Sequence, residues 1–464
     1  MAVNTIHPEY AKYAPLWRLT NSATDGEYAI KALPNCLPVQ FKETEPARFE
    51  EYKERAYWLG VTGRTERAMS GMVFRKDFAY KLPVGLEYLI ENFDGAGNSL
   101  EQVAKDAFSG MLRKRRHLLL AEYPRVEDGL NAATEQALGL APFCSQYAAE
   151  ALINWRFDFI NGKRRLVLAV LEQSVNVSED EFDYDMERQY LVLRLREGVY
   201  TQQLYDDANN PITDEYSPRM RGGKTFDYIP LFGVRDLTTP PLYDIARINL
   251  AHFRNTADVE DALSVISQPM LHINIGDTTQ ADWKDNNPSG VGFGVRRGIV
   301  TKNGSMDIVQ AGESNMGRQA KIDKQEEMAA LGASIIQRGG QTETAEAARL
   351  GASAESSVLD NVVNDLSEDI EAVIEAMALF VGANPEQLEF HLNTDYWEAG
   401  LSSQDLMAVI AGRQANIYAP ADALNMIRSG KIALDPSRDN AAIESDIANN
   451  LLNETGIDAN SATM

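Results

Sequence analysis

Residues 239–269 read TPPLYDIARINLAHFRNTADVEDALSVISQP and predict one long helix. Thr239 is a residue type that often caps a helix, and Pro240 and Pro241 suit a first helical turn. Before Pro269, apolar side chains recur at helical spacing, at Leu242, Ile245, Ile248, Ala251, Leu263 and Ile266. We therefore expect a helix of about 25 residues that begins at Thr239 and ends before Pro269.

Two further helices are expected downstream of this one. Residues 269–312 come first, and they are rich in glycine and asparagine with short β-like runs. A second helix is predicted over 316–337, with apolar residues at Ile322, Ala329, Ile335 and Ile336. Gly339 and Gly340 then break the helical pattern. A third helix is predicted from about Thr344 to Val381, which is about 55 Å at 1.5 Å per residue.

The third predicted helix has two different halves. Small residues dominate its start, and Gly351 with Ser353 predicts a kink. The second half carries an apolar stripe at Leu359, Val362, Leu366, Ile370, Val373 and Met377. Residues 343–375 hold nine acidic residues and one basic residue, Arg349. Such a helix either packs against copies of itself around an axis or forms the core of a large monomer, and periodicity alone favours neither.

The first 239 residues change from helical to β patterns. Asn161-Gly162 and Glu197-Gly198 each lie between strand-like runs and predict hairpin turns. We therefore expect an α+β fold class. The other predicted elements are helices over 45–59 and from Ser99 to about Leu112, strands over 117–124, 226–234 and 390–397, and short helices over 401–432 and 439–453.

The composition is that of an acidic globular protein. The chain has 464 residues, with 44 basic and 68 acidic ones and a net charge of −24. Such a surface repels free nucleic acid and anionic membranes, and it favours partners with basic patches. Cys36 and Cys144 form no metal-ligand pattern and suggest a reducing compartment. Because no secretory signal and no run of about 18 apolar residues is present, we expect no membrane association.

The motif PRMRGGKTF (218–226) ends like a phosphate-binding loop. That loop needs a glycine where Pro218 stands, and it needs a helix afterwards, where a strand is expected here. We interpret the segment as a basic loop. The alternative is a nucleotide-binding enzyme that uses Lys224 and Thr225.

Other candidate motifs are also incomplete. GVGFGVRRG (290–298) has Val295 where the dinucleotide fingerprint needs glycine, so we expect a tight turn. SEDEFDYDMER (178–188) lacks the glycine of a calcium loop, and a solvated turn is expected. The histidines are scattered, at His7, His117, His252, His272 and His391. We therefore expect no catalysis, no metal and no cofactor.

One dense basic run covers Arg113 to Arg116. It fits the last turn of a helix, where positive charge complements the helix dipole. The alternative is a docking patch for an acidic partner or for DNA.

The order of elements resembles the portal proteins of tailed bacteriophages, which are head-to-tail connectors. It resembles most the branch first catalogued as a phage family of unknown function. The most specific matching piece is PPLYDIARINLAHFRNTADVEDAL (240–263), followed by ETAEAARLGASAESSVLDNVV (343–363). Smaller matching pieces are Trp17, Gly26-Glu27, Lys31, Leu33-Pro34, Arg55-Ala56, GMVFRK (71–76) and Trp155-Arg156.

This resemblance implies an arrangement of domains. The wing covers 1–239 with a returning segment at 383–399, the stem helices cover 240–268 and 313–337, the clip covers 269–312, the long wing helix covers 345–382, and a short crown covers 400–464. The tunnel loop between them is Arg338, Gly339, Gly340, Gln341, Thr342, Glu343 and Thr344.

The resemblance also implies a function without catalysis. A dodecamer at one capsid vertex of the virion, assembled in the cytoplasm of a bacterial host, passes double-stranded DNA during genome packaging and ejection. Its partners are the major capsid protein, a transient terminase motor, and head-tail adaptor or tail proteins. Arg318, Lys321 and Lys324 are candidates for a basic ring in the channel, and Arg296, Arg297 and Lys302 are candidates for clip docking. The remaining alternative is an oligomeric scaffold or adaptor that has no channel.

Overall fold

The computed structural model describes residues 2–38, 42–125, 138–266, 270–277, 279–286, 305–309, 315–331 and 345–394, with a few isolated positions after them. The chain divides into two compact units, Met1–Leu392 and Asn393–Met464. The second unit is described only at scattered residues. The short helices predicted over 401–432 and 439–453, and the crown segment at 400–464, therefore lie almost wholly outside the described residues.

The first unit begins with helices. They are α1 (Pro8–Asp25), α2 (Glu27–Ala32), α3 (Pro46–Arg55), α4 (Val61–Val73) and α5 (Leu100–Lys114). Ser99 caps α5 as predicted: its hydroxyl accepts from the Gln102 N–H at 3.2 Å, and the Gln102 side chain accepts from the Ser99 N–H at 2.8 Å. The helix predicted over 45–59 ends earlier, at Arg55, because Ala56 is extended; Ala56 and Trp58 are buried in a cluster with Ala246 and Phe253.

Both predicted hairpins are present in a four-stranded antiparallel sheet. Its strands are β4 (Leu152–Ile160), β5 (Lys163–Asn176), β6 (Met186–Arg196) and β7 (Val199–Asp206), paired in chain order. The turn residues Asn161, Gly162, Glu197 and Gly198 all have positive φ. Two-residue hairpin turns of the primed type require this conformation.

The centre of the four-stranded sheet is buried on both faces. Tyr190 and Val192 pack with Ile153 and Val170 in one apolar cluster. Leu193 points to the opposite face and is also fully buried. Side chains on both faces of this sheet therefore contribute to the core.

A second sheet is three-stranded, with β2 (His117–Glu122) between β3 (Phe143–Ala148) and β8 (Leu231–Phe232). Strand β2 agrees with the prediction. The strand predicted over 226–234 is wrong except at Leu231 and Phe232, because Pro230 cannot donate a backbone hydrogen bond and Gly233 has a φ of +83°. Residues 226–230 form neither strand nor helix.

The sequence that follows forms two long helices, with an antiparallel pair of strands and a short helix between them. They are α6 (Tyr243–Ile266), β9 (Met270–Asn274), α7 (Gln280–Asn286), β10 (Ser305–Val309) and α8 (Asn315–Ala330). Thr239 is not the N-cap of α6. The Tyr243 N–H donates to the Pro240 carbonyl at 3.0 Å, so 240–243 is a turn, because residues that precede prolines are disfavoured in helical geometry.

The last long helix, α9 (Ala345–Val381), agrees closely with its predicted span. Leu366, Ile370, Val373 and Met377 on its second half are at most 1% exposed, because this half packs between α5, β2 and β8. The strand expected over 390–397 is shorter, since β11 (Glu389–His391) pairs only with the three residues of β1 (Ala79–Lys81). The α+β fold class is confirmed.

Candidate functional site

Helices α6 and α8 form an antiparallel pair. His252 lies beside Gln325 and Val259 lies beside Gly317, so the numbering rises along one helix as it falls along the other. A Cβ atom at Gly317 would lie 2.8 Å from the Val259 side chain, so glycine permits this close approach. Strands β9 and β10 between the helices are antiparallel, with Asn274 opposite Ser305 and Met270 opposite Val309.

Within this pair, helix α6 is anchored to the N-terminal helices by polar contacts. Asn249 is fully buried; its side-chain amide donates to the Leu59 carbonyl at 2.9 Å and its oxygen accepts from the Thr62 hydroxyl at 3.1 Å. Further along α6, the Tyr52 hydroxyl donates to Asp258 at 2.6 Å. Satisfied buried groups of this kind fix one orientation of a helix, so α6 is held rigidly at its base.

His252 is the buried centre of the contact between the two helices. The Gln325 amide lies 3.2 Å from the imidazole Nε2, and the imidazole Nδ1 has no hydrogen-bond partner within the described residues. Burial lowers the pKa of His252 to about 4, and the positive charges of Lys321 and Lys324 act in the same direction. The contact therefore requires a neutral imidazole.

The three predicted channel bases do not share one exposed face of α8. Arg318 is exposed, whereas Lys321 and Lys324 are partly buried on the flank towards α6. The Lys321 ammonium lies 4.9 Å from the ring centroid of Tyr57, so it makes a cation–π contact inside its own chain. The exposed face of α8 consists of Asn315, Met316, Arg318, Gln319, Ile322, Asp323, Glu326, Glu327, Ala330 and Leu331.

Two other predicted groups cannot be placed. The tunnel loop, from Arg338 to Thr344, lies outside the described residues. The clip-docking candidates Arg296, Arg297 and Lys302 also lie outside them. The first half of α9 is helical, and nothing further about its side chains or its predicted kink is described.

The second half of α9 turns part of its acidic charge inward. The Arg235 guanidinium donates to the Asp369 carboxylate and to the Asp365 carbonyl, the latter at 2.9 Å. The Gly233 N–H donates to Asp369 at 3.1 Å. Burial raises the pKa of Asp369 to about 6, and the attraction of Arg235 offsets only part of that rise. These two carboxylates therefore pair with Arg235 inside the protein.

The GGKT segment has a structural role at the end of the same helix. Arg219 and Thr225 form a bridge around a tight turn in which Gly222 and Gly223 have positive φ. Inside this turn the Arg221 N–H donates to the Phe380 carbonyl at 3.1 Å, and its guanidinium donates to the Val381 carbonyl at 2.9 Å. The loop therefore caps the C-terminus of α9, which explains its arginine without a nucleotide.

The basic run at the end of α5 is also used internally. Arg113 pairs with Glu66 and Asp25, Lys114 with Glu150, and Arg115 with Asp365. Arg116 is fully buried, 4.3 Å from the Trp155 ring centroid, and donates to the Arg235 carbonyl at 2.7 Å. These contacts support the structural interpretation of the run over a docking patch, although they are tertiary ion pairs and not only a helix-dipole effect.

The acidic segment 178–188 is the remaining motif that falls on described residues. Its residues 178–185 lie in the loop between β5 and β6, as expected for a solvated turn, and residues 186–188 begin β6. Across the described ranges, no group of three or more metal-ligating side chains comes together. Every helix there is too short or too polar to span a lipid bilayer.

Comparison with known proteins gives a partial match. Residues 241–381 match a family described as "Domain of unknown function (DUF4055)". No curated protein matches the chain. Among solved structures, one chain described as "Neck of empty GTA particle computed with C6 symmetry" is 14% identical, with a TM-score of 0.41, over 79% of this chain and 89% of that one. A likeness of this size does not establish a shared fold.

The sequence did not predict the cluster of contacts around Arg235. This residue follows β8, accepts a hydrogen bond from Arg116 just after α5, and donates to Asp365 and Asp369 on α9. Asp365 and Asp369 are four residues apart, so the pattern could have shown that they share one helix face. Their partner is more than a hundred residues away, and no local pattern marks it.

Proposed function

We propose that this chain is the subunit of a ring-shaped portal of a tailed bacteriophage, which conducts DNA during packaging and ejection. The observation that carries the proposal is the antiparallel pair α6/α8 with strands between, followed by α9, in the segment that resembles portal proteins. In the single chain, α8 packs on α6 and leaves a continuous face exposed, with Met316, Ile322 and Leu331 on it. In a ring, neighbouring copies cover part of that face and the rest lines the channel.

The charge of the chain supports conduction and not tight binding of DNA. Within the described part of α8, the exposed face carries one base, Arg318, beside three acids, Asp323, Glu326 and Glu327. A channel wall that is acidic overall, with sparse bases, lets a polyanion slide. We propose Arg318 as the base closest to the DNA and assign Lys321 and Lys324 a supporting position behind it.

The further elements of this proposal follow the resemblance. The assembly is a dodecamer in the virion, formed in the bacterial cytoplasm with the major capsid protein, and it has no catalytic activity of its own. A terminase supplies the work of packaging, and head-tail adaptor and tail proteins bind afterwards. Arg296, Arg297 and Lys302 are the proposed docking residues of the clip.

The test of the proposal is the replacement of Gly339 and Gly340 by alanine in the proposed tunnel loop. Loss of glycine restricts the backbone conformations open to the loop, so rings should assemble normally while DNA packaging or retention falls. Gly71→Ala is the control, because that glycine lies within α4 with open space around its Cβ position. Normal packaging and retention by the Gly339 and Gly340 variant would contradict a loop that contacts DNA.

A further inference from the structure

The four-stranded sheet exposes large aromatic side chains at both ends of its longest strand. At one end, Phe159 lies near the end of β4, beside the β4–β5 turn, and is 76% exposed. At the other end, the loop between β5 and β6 carries Phe182 and Tyr184, which are 84% and 78% exposed. Aromatic side chains are enriched in protein–protein interfaces, so both places are candidate interaction surfaces.

The loop that carries Phe182 and Tyr184 has a fixed conformation. The Asn176 side-chain oxygen accepts from the Asp185 N–H at 2.9 Å, and the Val177 N–H donates to the Asp185 carbonyl at 2.8 Å. The Asp180 side chain accepts from the Phe182 N–H at 3.0 Å. The rings are therefore held outward by the loop, so little ordering is needed when a partner binds.

The two ends differ in charge. Residues 177–185, the acidic tip, hold Glu179, Asp180, Glu181, Asp183 and Asp185 and no base, and none of these acids forms an ion pair with another described residue. The basic tip is formed by Arg156, Lys163, Arg164 and Arg165 around the β4–β5 turn.

Three of the four bases of the basic tip pair with acids of the same chain, and those acids are exposed. Lys163 has no ion-pair partner where the chain is described, and the three arginines pair with Asp158, Asp236 and Asp227, which are more than half exposed. Exposed pairs of this kind contribute little to stability, so a carboxylate of a partner can replace the internal one.

We propose that neighbouring copies of this chain meet head to tail, with the acidic tip of one copy on the basic tip of the next. The occupant of each tip is a second copy because the complementary charge and exposed aromatic side chains are found on the same sheet of the same chain. A contact between two different patches is heterologous, and it generates closed rings or open filaments. The inference rests on the ring proposed above and adds the surfaces that close it.

The length of β5 sets a dimension for this ring. Its 14 residues separate the two tips by about 44 Å at 3.4 Å per residue. If each copy contributes that spacing to the circumference, a dodecamer measures about 170 Å across at the level of the tips.

Cysteine cross-linking tests the contact directly. The chain with both Lys163→Cys and Glu181→Cys should give a ladder of covalent oligomers after mild oxidation, because the native Cys36 and Cys144 are buried. Each single variant should give no covalent oligomer, since a heterologous contact does not bring the same residue of two neighbouring copies together. No ladder from the double variant, or a dimer from Glu181→Cys alone, would overturn the proposal.

Charge reversal gives a second, independent test. Glu179→Lys with Glu181→Lys, or Arg156→Glu with Lys163→Glu, should raise the concentration needed for half-assembly by about tenfold or more, and all four changes together should restore assembly. Asp77→Lys with Glu91→Lys is the matched control, because both acids are exposed and distant in sequence from the tips. Assembly unaffected by either reversal would contradict the contact.

The outcomes separate this inference from the proposed function. Rings with an axial hole but without a cross-linked ladder would refute the tip contact and leave the portal proposal standing. A ladder that closes into an assembly without a hole would support the tip contact and refute the portal.

Discussion

Removal of the charge at Asp369 should change the stability of the first unit in a pH-dependent way. Its ordinary pKa is 3.8, and burial raises the pKa to about 6 in the folded protein. Between these two values the folded state binds more protons than the unfolded state, so this group's contribution to stability falls as pH rises from about 4 to about 6. The full difference corresponds to about 3 kcal/mol at 1.36 kcal/mol per pKa unit.

Asp369→Asn removes this dependence and keeps an oxygen that accepts from the Gly233 N–H. The free energy of unfolding of the variant, relative to that of the wild type, should therefore increase by about 2–3 kcal/mol as the pH rises from 4 to 7. Arg235→Ala should instead destabilise the folded protein, and most strongly at pH 7. It leaves Asp369 buried without its counter-charge, which costs about 3–5 kcal/mol at pH 7, and less at pH 4, where the carboxyl is protonated.

The assay is urea unfolding at pH 4, 5, 6 and 7, with the transition monitored by tryptophan fluorescence and far-ultraviolet circular dichroism. The buried Trp17 and Trp155 report loss of the core. Glu368→Gln is the control, because it removes an exposed carboxylate from the same helix and should show a small, constant difference. A difference between wild type and Asp369→Asn that does not vary with pH would refute the reasoning.

Three further predictions concern single positions. Gly233→Ala should abolish soluble folded protein, because its Cβ atom would lie 2.0 Å from the His117 carbonyl oxygen. Gly97→Ala is the control, since it also places a side chain at positive φ but in open space. A solubility assay should show a smaller loss of soluble protein for Gly97→Ala than for Gly233→Ala. Burial lowers the pKa of His252 to about 4, so the wild type should lose stability as pH falls from about 6.5 to about 4, and His252→Gln should flatten that limb in acid-titration circular dichroism. Arg221→Met should speed amide hydrogen exchange in the last turn of α9 by about fivefold, because the Val381 carbonyl loses its donor, and equal exchange rates would contradict the capping role.

Sequence patterns correctly predicted the elements that are stabilised by interactions between residues close together in the chain. The Ser99 capping box, the Asn161-Gly162 and Glu197-Gly198 turns, and the apolar stripe on α9 each depend on residues within a few positions of one another. Their interactions form wherever the chain folds, so the sequence was sufficient to predict them.

Local backbone constraints of proline and glycine account for the element boundaries that were predicted wrongly. Helix α6 begins at Tyr243 and not near Thr239, because consecutive prolines disfavour helical geometry in the residues before them. Strand β8 contains only two residues, because Pro230 and Gly233 limit it. Neither effect appears in the apolar periodicity that led to the original predictions.

The candidate site was predictable in part. The sequence placed Arg318, Lys321 and Lys324 on one helix, which is correct, but spacing alone could not show that Lys321 packs against Tyr57. The acidic residues of α9 were counted from the sequence, but the count could not show that Asp365 and Asp369 pair with Arg235 inside the protein. Long-range ion pairs of this kind depend on the fold and leave no trace in local sequence.

The most direct test of the central claim is cryo-electron microscopy of the purified protein, combined with native mass spectrometry to count subunits. We expect a ring of twelve copies with an axial hole wide enough for duplex DNA, in which the exposed face of α8 is shared between the channel and a neighbouring copy. A closed oligomer without an axial hole would contradict the portal function and favour a scaffold or adaptor.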